Sequence, residues 1–245
     1  MNFIIFGNDK RYEYLAELLI KSGWKQNDRK SILDERADLL ILSPKEDVFT
    51  YINAAKPGAF IFGGKNGTKQ EIQAAGRMKF EQSNKYKIKN SIATAEGALC
   101  IAISETNRAI IDCDVLVLGY GFLGRETADL FSKTGATINV CTASETELKQ
   151  AEKKGYHCIL LKDLDALAYH IILNTIPAHV LDNEKFCLLP EGAILIELAS
   201  KPCCDENQEA VRIIKAGALP GRFSPYSAAL YMYEEITEKI WEENR

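Results

Sequence analysis

Asp114-Val-Leu-Val-Leu-Gly-Tyr-Gly-Phe-Leu-Gly124 is the stretch that decides how the rest of the chain is read. Its aliphatic run, closed by glycine, is the pattern of a strand buried on both faces. Glycines then stand at 119, 121 and 124, and a helix pattern runs from Leu123 to Thr134. Each glycine has a separate reason. Gly119 permits the tight turn, Gly121 lets a pyrophosphate approach the backbone, and Gly124 lets helix and strand pack closely. The first-turn N–H groups of the helix that begins at Leu123, and its positive dipole end, are expected to face the phosphates, with Phe122 and Leu123 beside them. This is a dinucleotide-binding loop of the Rossmann type.

Downstream the pattern repeats. Thr137–Cys141 reads as a strand, Ser144–Lys154 as a helix and His157–Leu160 as a strand. Further strands are expected at His170–Thr175 and Ala193–Leu198, a helix at Glu206–Lys215, and a closing helix from Pro225 to Glu243. Cofactor ribose hydroxyls are commonly held by an acid at the end of the second strand. Here that place is Cys141-Thr142-Ala143-Ser144, with no acid before Glu145. Thr142 and Ala143 are therefore the residues expected beside the ribose, and the absent carboxylate leans the cofactor toward NADP, with NAD as the other choice. Asn174 and Thr175 end the fourth strand, where ligands of open parallel sheets bind.

Upstream, strands at Asn2–Gly7, Asp38–Ser43 (stopped by Pro44) and Ala59–Gly63 alternate with helix Tyr12–Ser22. That alternation implies a second, small parallel unit. The charged stretch 77–90 reads as a solvated edge, and a linking helix follows with Thr94 as its N-cap. The expected division is 1–90 for an N-terminal α/β domain, 91–112 for the linking helix, 113–224 for the Rossmann domain and 225–245 for a helix crossing back.

Composition narrows the function. Thirty Lys and Arg against thirty-four Asp and Glu give a net charge of −4 over 245 residues, which disfavours nucleic-acid binding. No run of about 18 apolar residues is present, so no membrane span is expected, nor a signal peptide at Met1–Gly7, and the expected location is cytoplasmic. Seven cysteines with no Cys-x-x-Cys spacing predict neither a disulfide framework nor a metal site. The three histidines, at 157, 170 and 179, fit packing roles.

Several short motifs occur in order: Asn90-Ser-Ile-Ala-Thr-Ala-Glu-Gly97, the glycine loop, Asn174-Thr-Ile-Pro177, Glu197-Leu-Ala-Ser-Lys-Pro202 and Leu219-Pro-Gly-Arg-Phe-Ser-Pro225. The series resembles the dipicolinate synthase A-subunit family, well over residues 90–240 and loosely through Gly7-Asn-Asp-Lys-Arg11. The resemblance implies a small flavodoxin-like N-terminal domain and a Rossmann NAD(P)-binding domain with a cleft between them. It implies oxidation of dihydrodipicolinate to dipicolinate in spore formation and, as partner, the flavoprotein-like B-subunit of dipicolinate synthase. Two substrate carboxylates would need cations, for which Lys201, Arg222 and Arg11 are candidates, and Glu96 is a candidate proton acceptor. Ser200-Lys-Pro-Cys-Cys204 stands where the family tends to run Ser-Arg-Pro-Gly-Gly. Cys203 and Cys204 are expected to line the cleft in reduced form. Two other readings stay open: a non-catalytic or regulatory NAD(P)-binding homologue, and a D-2-hydroxyacid dehydrogenase-like enzyme. Homo-oligomer formation is left open too.

Overall fold

The structure is a computed structural model that describes residues 1–29, 35–165, 167–205 and 211–243. The chain divides into two compact units, Ile88–Phe223 and Met1–Lys87 with Ser224–Arg245.

In the first unit, strand β1 (Asn2–Phe6) is followed by α1 (Lys10–Lys21), the short β2 (Lys25–Gln26) and the long β3 (Ala37–Asp47). A single turn, α2 (Val48–Tyr51), leads to β4 (Ala55–Lys65), then α3 (Lys69–Ala74) and β5 (Met78–Lys79). The strands are parallel in the order β2-β1-β3-β4-β5, the flavodoxin-like arrangement. Pro44 does not end β3. The pairing with β4 breaks after Leu42 and resumes at Asp47, so the proline sits in an irregularity that needs no ladder donor there. One face of the sheet is covered by α1 and by the last helix, α8 (Pro225–Glu243), whose Ala229, Met232 and Ile236 join Leu15, Leu19 and Phe3 in one core. Glu235 of α8 accepts from both the N–H and the hydroxyl of Ser83 at 2.6 Å.

Helix α4 (Asn84–Glu105) begins in the first unit and runs into the second. Its start corrects two expectations. The lysine-rich residues 84–90 are its first turns rather than an edge that precedes it, and Thr94 lies inside it, its hydroxyl turned back to the carbonyl of Asn90 at 2.7 Å. Ser83 takes the capping role, its Oγ accepting from the N–H of Tyr86 at 3.1 Å.

The second unit contains β6 (Asp114–Leu118), α5 (Phe122–Lys133), β7 (Thr137–Thr142), α6 (Glu145–Glu152) and β8 (His157–Leu160). It continues with β9 (Ile171–Asn174), β10 (Ile194–Glu197), β11 (Arg212–Lys215) and the short α7 (Leu219–Phe223). The parallel order β11-β10-β9-β6-β7-β8 is the doubly wound Rossmann order, with its switch point between β6 and β9. Arg212–Lys215 thus forms an edge strand on β10, not the helix expected there, and residues 206–210 lie outside the described residues. Two apolar layers sandwich the sheet: Val115, Val117 and Phe131 lie on one side, and Leu116, Leu118 and Leu195 on the other. Among the described residues no helix is long and apolar enough to cross a membrane.

Candidate functional site: a nucleotide cradle and a cavity at the strand ends

Gly119 has φ +88°, the left-handed conformation that favours glycine, and its N–H donates to the carbonyl of Cys141 at 2.7 Å. A Cβ on Gly119 would lie 2.6 Å from Thr175 Oγ1, and one on Gly124 would collide with the Gly119 backbone. A Cβ on Gly121, by contrast, would meet nothing within 4 Å. Gly121 is the N-cap of α5 and supplies no side-chain hydrogen bond. A helix start without a side-chain cap leaves first-turn N–H groups, which have no acceptor within the helix, for another partner. That combination of an uncapped N-terminus, an open glycine and a backbone packed from behind fits a pyrophosphate. Phe122, the first residue of α5, is exposed.

At the end of β7, Thr142 is buried and Ala143 is exposed. The reading of this end as free of acid needs correction. Thr142 Oγ1 donates to the carboxylate of Glu147 at 2.6 Å, while Ser144 caps α6 by accepting from the N–H of Glu147 at 3.3 Å. The first turn of α6 therefore brings a carboxylate to the strand end. Cys141, one residue earlier, is buried, and burial pushes its thiol up to about 12.

Across the switch point, Asn174 and Thr175 are committed to the scaffold. Thr175 Oγ1 donates to the Leu118 carbonyl at 2.7 Å, behind the glycine turn. Asn174 is fully buried; its Nδ2 donates to Glu197 Oε2 at 2.6 Å and to the Ile176 carbonyl at 3.1 Å. Its Oδ1 accepts from the Ile176 N–H at 2.9 Å. Both side chains are thus bound into the scaffold at the strand end where the cofactor is expected.

A cavity of about 310 Å³ lies at the C-terminal ends of β10 and β11, walled by Glu197, Ser200, Lys201, Cys204, Lys215 and Gly217 among others. Lys201 is exposed on its rim. Neither Arg222 nor Glu96 is among the described residues that line it. Arg222 is exposed on α7 with its guanidinium 4.8 Å from the Phe223 ring centre. Glu96 is exposed in the interior of α4, not at its head, and so gains nothing from a helix N-terminus. The next residue, Gly97, lets α4 approach α7: a Cβ there would lie 2.9 Å from Leu219 Cβ and from the Phe223 ring. Arg11 belongs to the first unit and is occupied by Asp9, at 2.7 and 2.9 Å, with little of its side chain exposed. Cys203 and Cys204 are free thiols, but both are buried, and Cys204 is the one that reaches the cavity wall.

Residues 98–221 match the family described as D-isomer specific 2-hydroxyacid dehydrogenase, NAD binding domain, just over half of the chain. The chain belongs to this family. Its second unit is thus the NAD-binding domain of a dehydrogenase-like protein, with an NAD(H)-type cofactor. Among curated proteins, the chain is 28% identical over 198 residues to the dipicolinate synthase A-subunit of Bacillus subtilis (strain 168), covering 74% of this chain and 65% of that one. It is 22% identical over 204 residues to an adenosylhomocysteinase of Sulfurisphaera tokodaii, covering 74% of this chain and 49% of the other. The chain thus spans under two thirds of the first of these relatives and about half of the second. The solved dipicolinate synthase A chain from Bacillus subtilis has the same fold, with a TM-score of 0.83, 21% identity and coverage of 99% and 96%.

Proposed function

We propose that this chain is an NAD(H)-dependent dehydrogenase of the dipicolinate synthase A-subunit kind, oxidising dihydrodipicolinate to dipicolinate in spore formation. The observation that carries the reading is the cavity at the ends of β10 and β11, in the same sheet as the glycine cradle, with Lys201 on its wall. Its volume lies at the small end of the range for small-molecule sites. Bound NAD⁺ would supply the hydride acceptor for a ring C–H, in a reaction favoured by the aromaticity gained. The protein's own residues do the rest. Lys201 holds one carboxylate by a charge-assisted bond; Arg222 and Glu96, which lie outside the cavity lining, are the candidates for the second carboxylate and the ring proton, with water the other acceptor. Glu147 sets the cofactor. Its carboxylate beside Thr142 accepts from ribose hydroxyls and repels a 2′-phosphate, which favours NAD(H) over NADP(H) and reverses the leaning drawn from the strand end alone. A flavoprotein-like second subunit is the expected partner, and the cytoplasm the expected location.

The test is turnover of dihydrodipicolinate by purified protein with NAD⁺, followed as NADH formation, alone and with a candidate second subunit. Lys201→Ala and Arg222→Ala should each lower efficiency by on the order of 10- to 100-fold while NADH affinity stays within about twofold. Unchanged turnover in both would remove these cations from the site. No turnover by the parent with either cofactor would favour the second reading, a non-catalytic NAD-binding homologue, which the Cys203–Cys204 pair supports by filling a place where the resembled family has glycines. A D-2-hydroxyacid dehydrogenase reading is weaker, because the last of the chain's three histidines is His179 and none follows β10.

A further inference from the structure

The loop after β10 folds back over the strand's own end. Cys203 N–H donates to Glu197 Oε1 at 2.9 Å, and the Cys203 carbonyl accepts from the N–H groups of Val180 and Leu181 at 2.8 and 2.9 Å. Held this way, one carboxylate oxygen of Glu197 and the sulfurs of Cys203 and Cys204 lie within 4.8 Å of one another. All three side chains are buried, at 6%, 0% and 2% exposure.

A buried carboxylate among sulfurs is costly unless it is paired. The donors at 2.6 Å (Asn174 Nδ2) and 2.9 Å (Cys203 N–H) are both neutral amides. We propose that Glu197, Cys203 and Cys204 form a binding site for a thiophilic divalent cation, with Zn²⁺ the ion their chemistry selects. Two thiolates exclude Mg²⁺ and Ca²⁺, which take oxygen ligands, and suit zinc, which takes sulfur at about 2.3 Å and carboxylate oxygen at about 2.0–2.2 Å. Tetrahedral ligands at those lengths stand roughly 3.3–3.8 Å apart, so the atoms need draw in by no more than about an ångström. The bond from Asn174 to Glu197 is the outer hydrogen bond that orients a ligating carboxylate. Glu197 and Cys204 also form part of the cavity wall, which gives the ion a way in and leaves its fourth position facing that space. Two thiol protons leave for each dication bound, so the buried group carries the same net charge before and after. Affinity should therefore rise with pH.

Zinc itself is the probe, and neither cofactor nor turnover is required. The reduced, full chain is titrated with Zn²⁺ against a chromophoric chelator, with a phosphine as reductant. One ion per chain should bind, at least 100-fold more weakly in Cys204→Ser and in Glu197→Gln, with circular dichroism confirming that both are folded. Co²⁺ should give a sulfur-to-metal charge-transfer band that Cys204→Ser loses. A variant with exposed Cys100 and Cys187 both changed to Ser should bind like the parent. Absence of stoichiometric zinc on the folded, reduced parent overturns the site, as does undiminished binding by Cys204→Ser. Binding lost only in the Cys100/Cys187 variant assigns the ion to surface thiols and overturns it too.

Discussion

Each unit contains a strand–glycine–helix turn at the carboxyl edge of a parallel sheet, and the two turns are finished in opposite ways. After β6, Gly121 leaves open space and α5 starts with no side-chain cap. After β1, the place a Cβ on Gly7 would take is already filled by the Tyr12 ring, and Asp9 caps α1 by accepting from the Arg11 N–H. Asp9 also pairs with the Arg11 guanidinium through both its oxygens. The first unit carries its own anion at the helix end; the second has no side-chain cap there. An anion site of this kind is made by withholding a cap as much as by adding a contact.

The sharpest way to break the contrast is to give the second turn what the first has. Gly121→Asp should reduce NADH affinity by on the order of 100-fold or more, since a resident carboxylate both fills and charges the phosphate position. Its backbone there is one any residue adopts, so thermal stability should hold or rise by a few tenths of a kcal/mol. Fluorescence titration with calorimetry reads both, and retained NADH binding in the folded variant would remove the cradle. The reverse exchange, Asp9→Ala, should cost about 1–2 kcal/mol in urea denaturation and create no NADH site in the first unit, because Tyr12 still fills the space. Glu147→Gln keeps the Thr142 hydrogen bond while removing the charge. It should shift the NADPH-to-NADH affinity ratio about tenfold toward NADPH, and an unchanged ratio would leave Glu147 no more than the acceptor of the Thr142 hydroxyl. The smallest effect, absent at neutral pH, concerns Tyr86, whose phenol burial raises to about 12. Its folded pKa exceeds the unfolded value near 10, so its contribution to stability is complete below pH 10 and is lost as pH rises toward 12, by at most about 1.4 kcal/mol per pH unit. Tyr86→Phe should flatten that decline in denaturation measured from pH 9 upward.

The Rossmann unit was legible because β6 and the glycine loop state their pattern within eleven consecutive residues. What escaped depended on partners distant in sequence. The apolar run at Val211–Ile214 suits helix or strand by itself, and pairing with β10 decides for strand. The start of α4 was hidden because Lys85, Lys87 and Lys89 alternate with Tyr86 and Ile88, a two-residue spacing that shows no helical stripe. Glu147 escaped a search confined to the last residues of β7, since it reaches back to Thr142 from the first turn of a helix. Glu197 and Cys203 are six residues apart and meet only because the loop doubles back. The spacing itself carried no such signal.

The division of the chain inside α4 and again at Ser224 has a consequence for how the molecule comes to be made. The second unit is one continuous stretch, Ile88–Phe223, and has all its residues in hand as soon as that stretch has left the ribosome. The first unit does not. Its sheet is synthesised before the second unit, yet Ala229, Met232, Ile236 and Ile240, which cover that sheet, are made after it. Until then the apolar face of α1 and β1 has no lid and must be sheltered or tolerated, so premature termination before α8 strips the earliest part of the chain of its core.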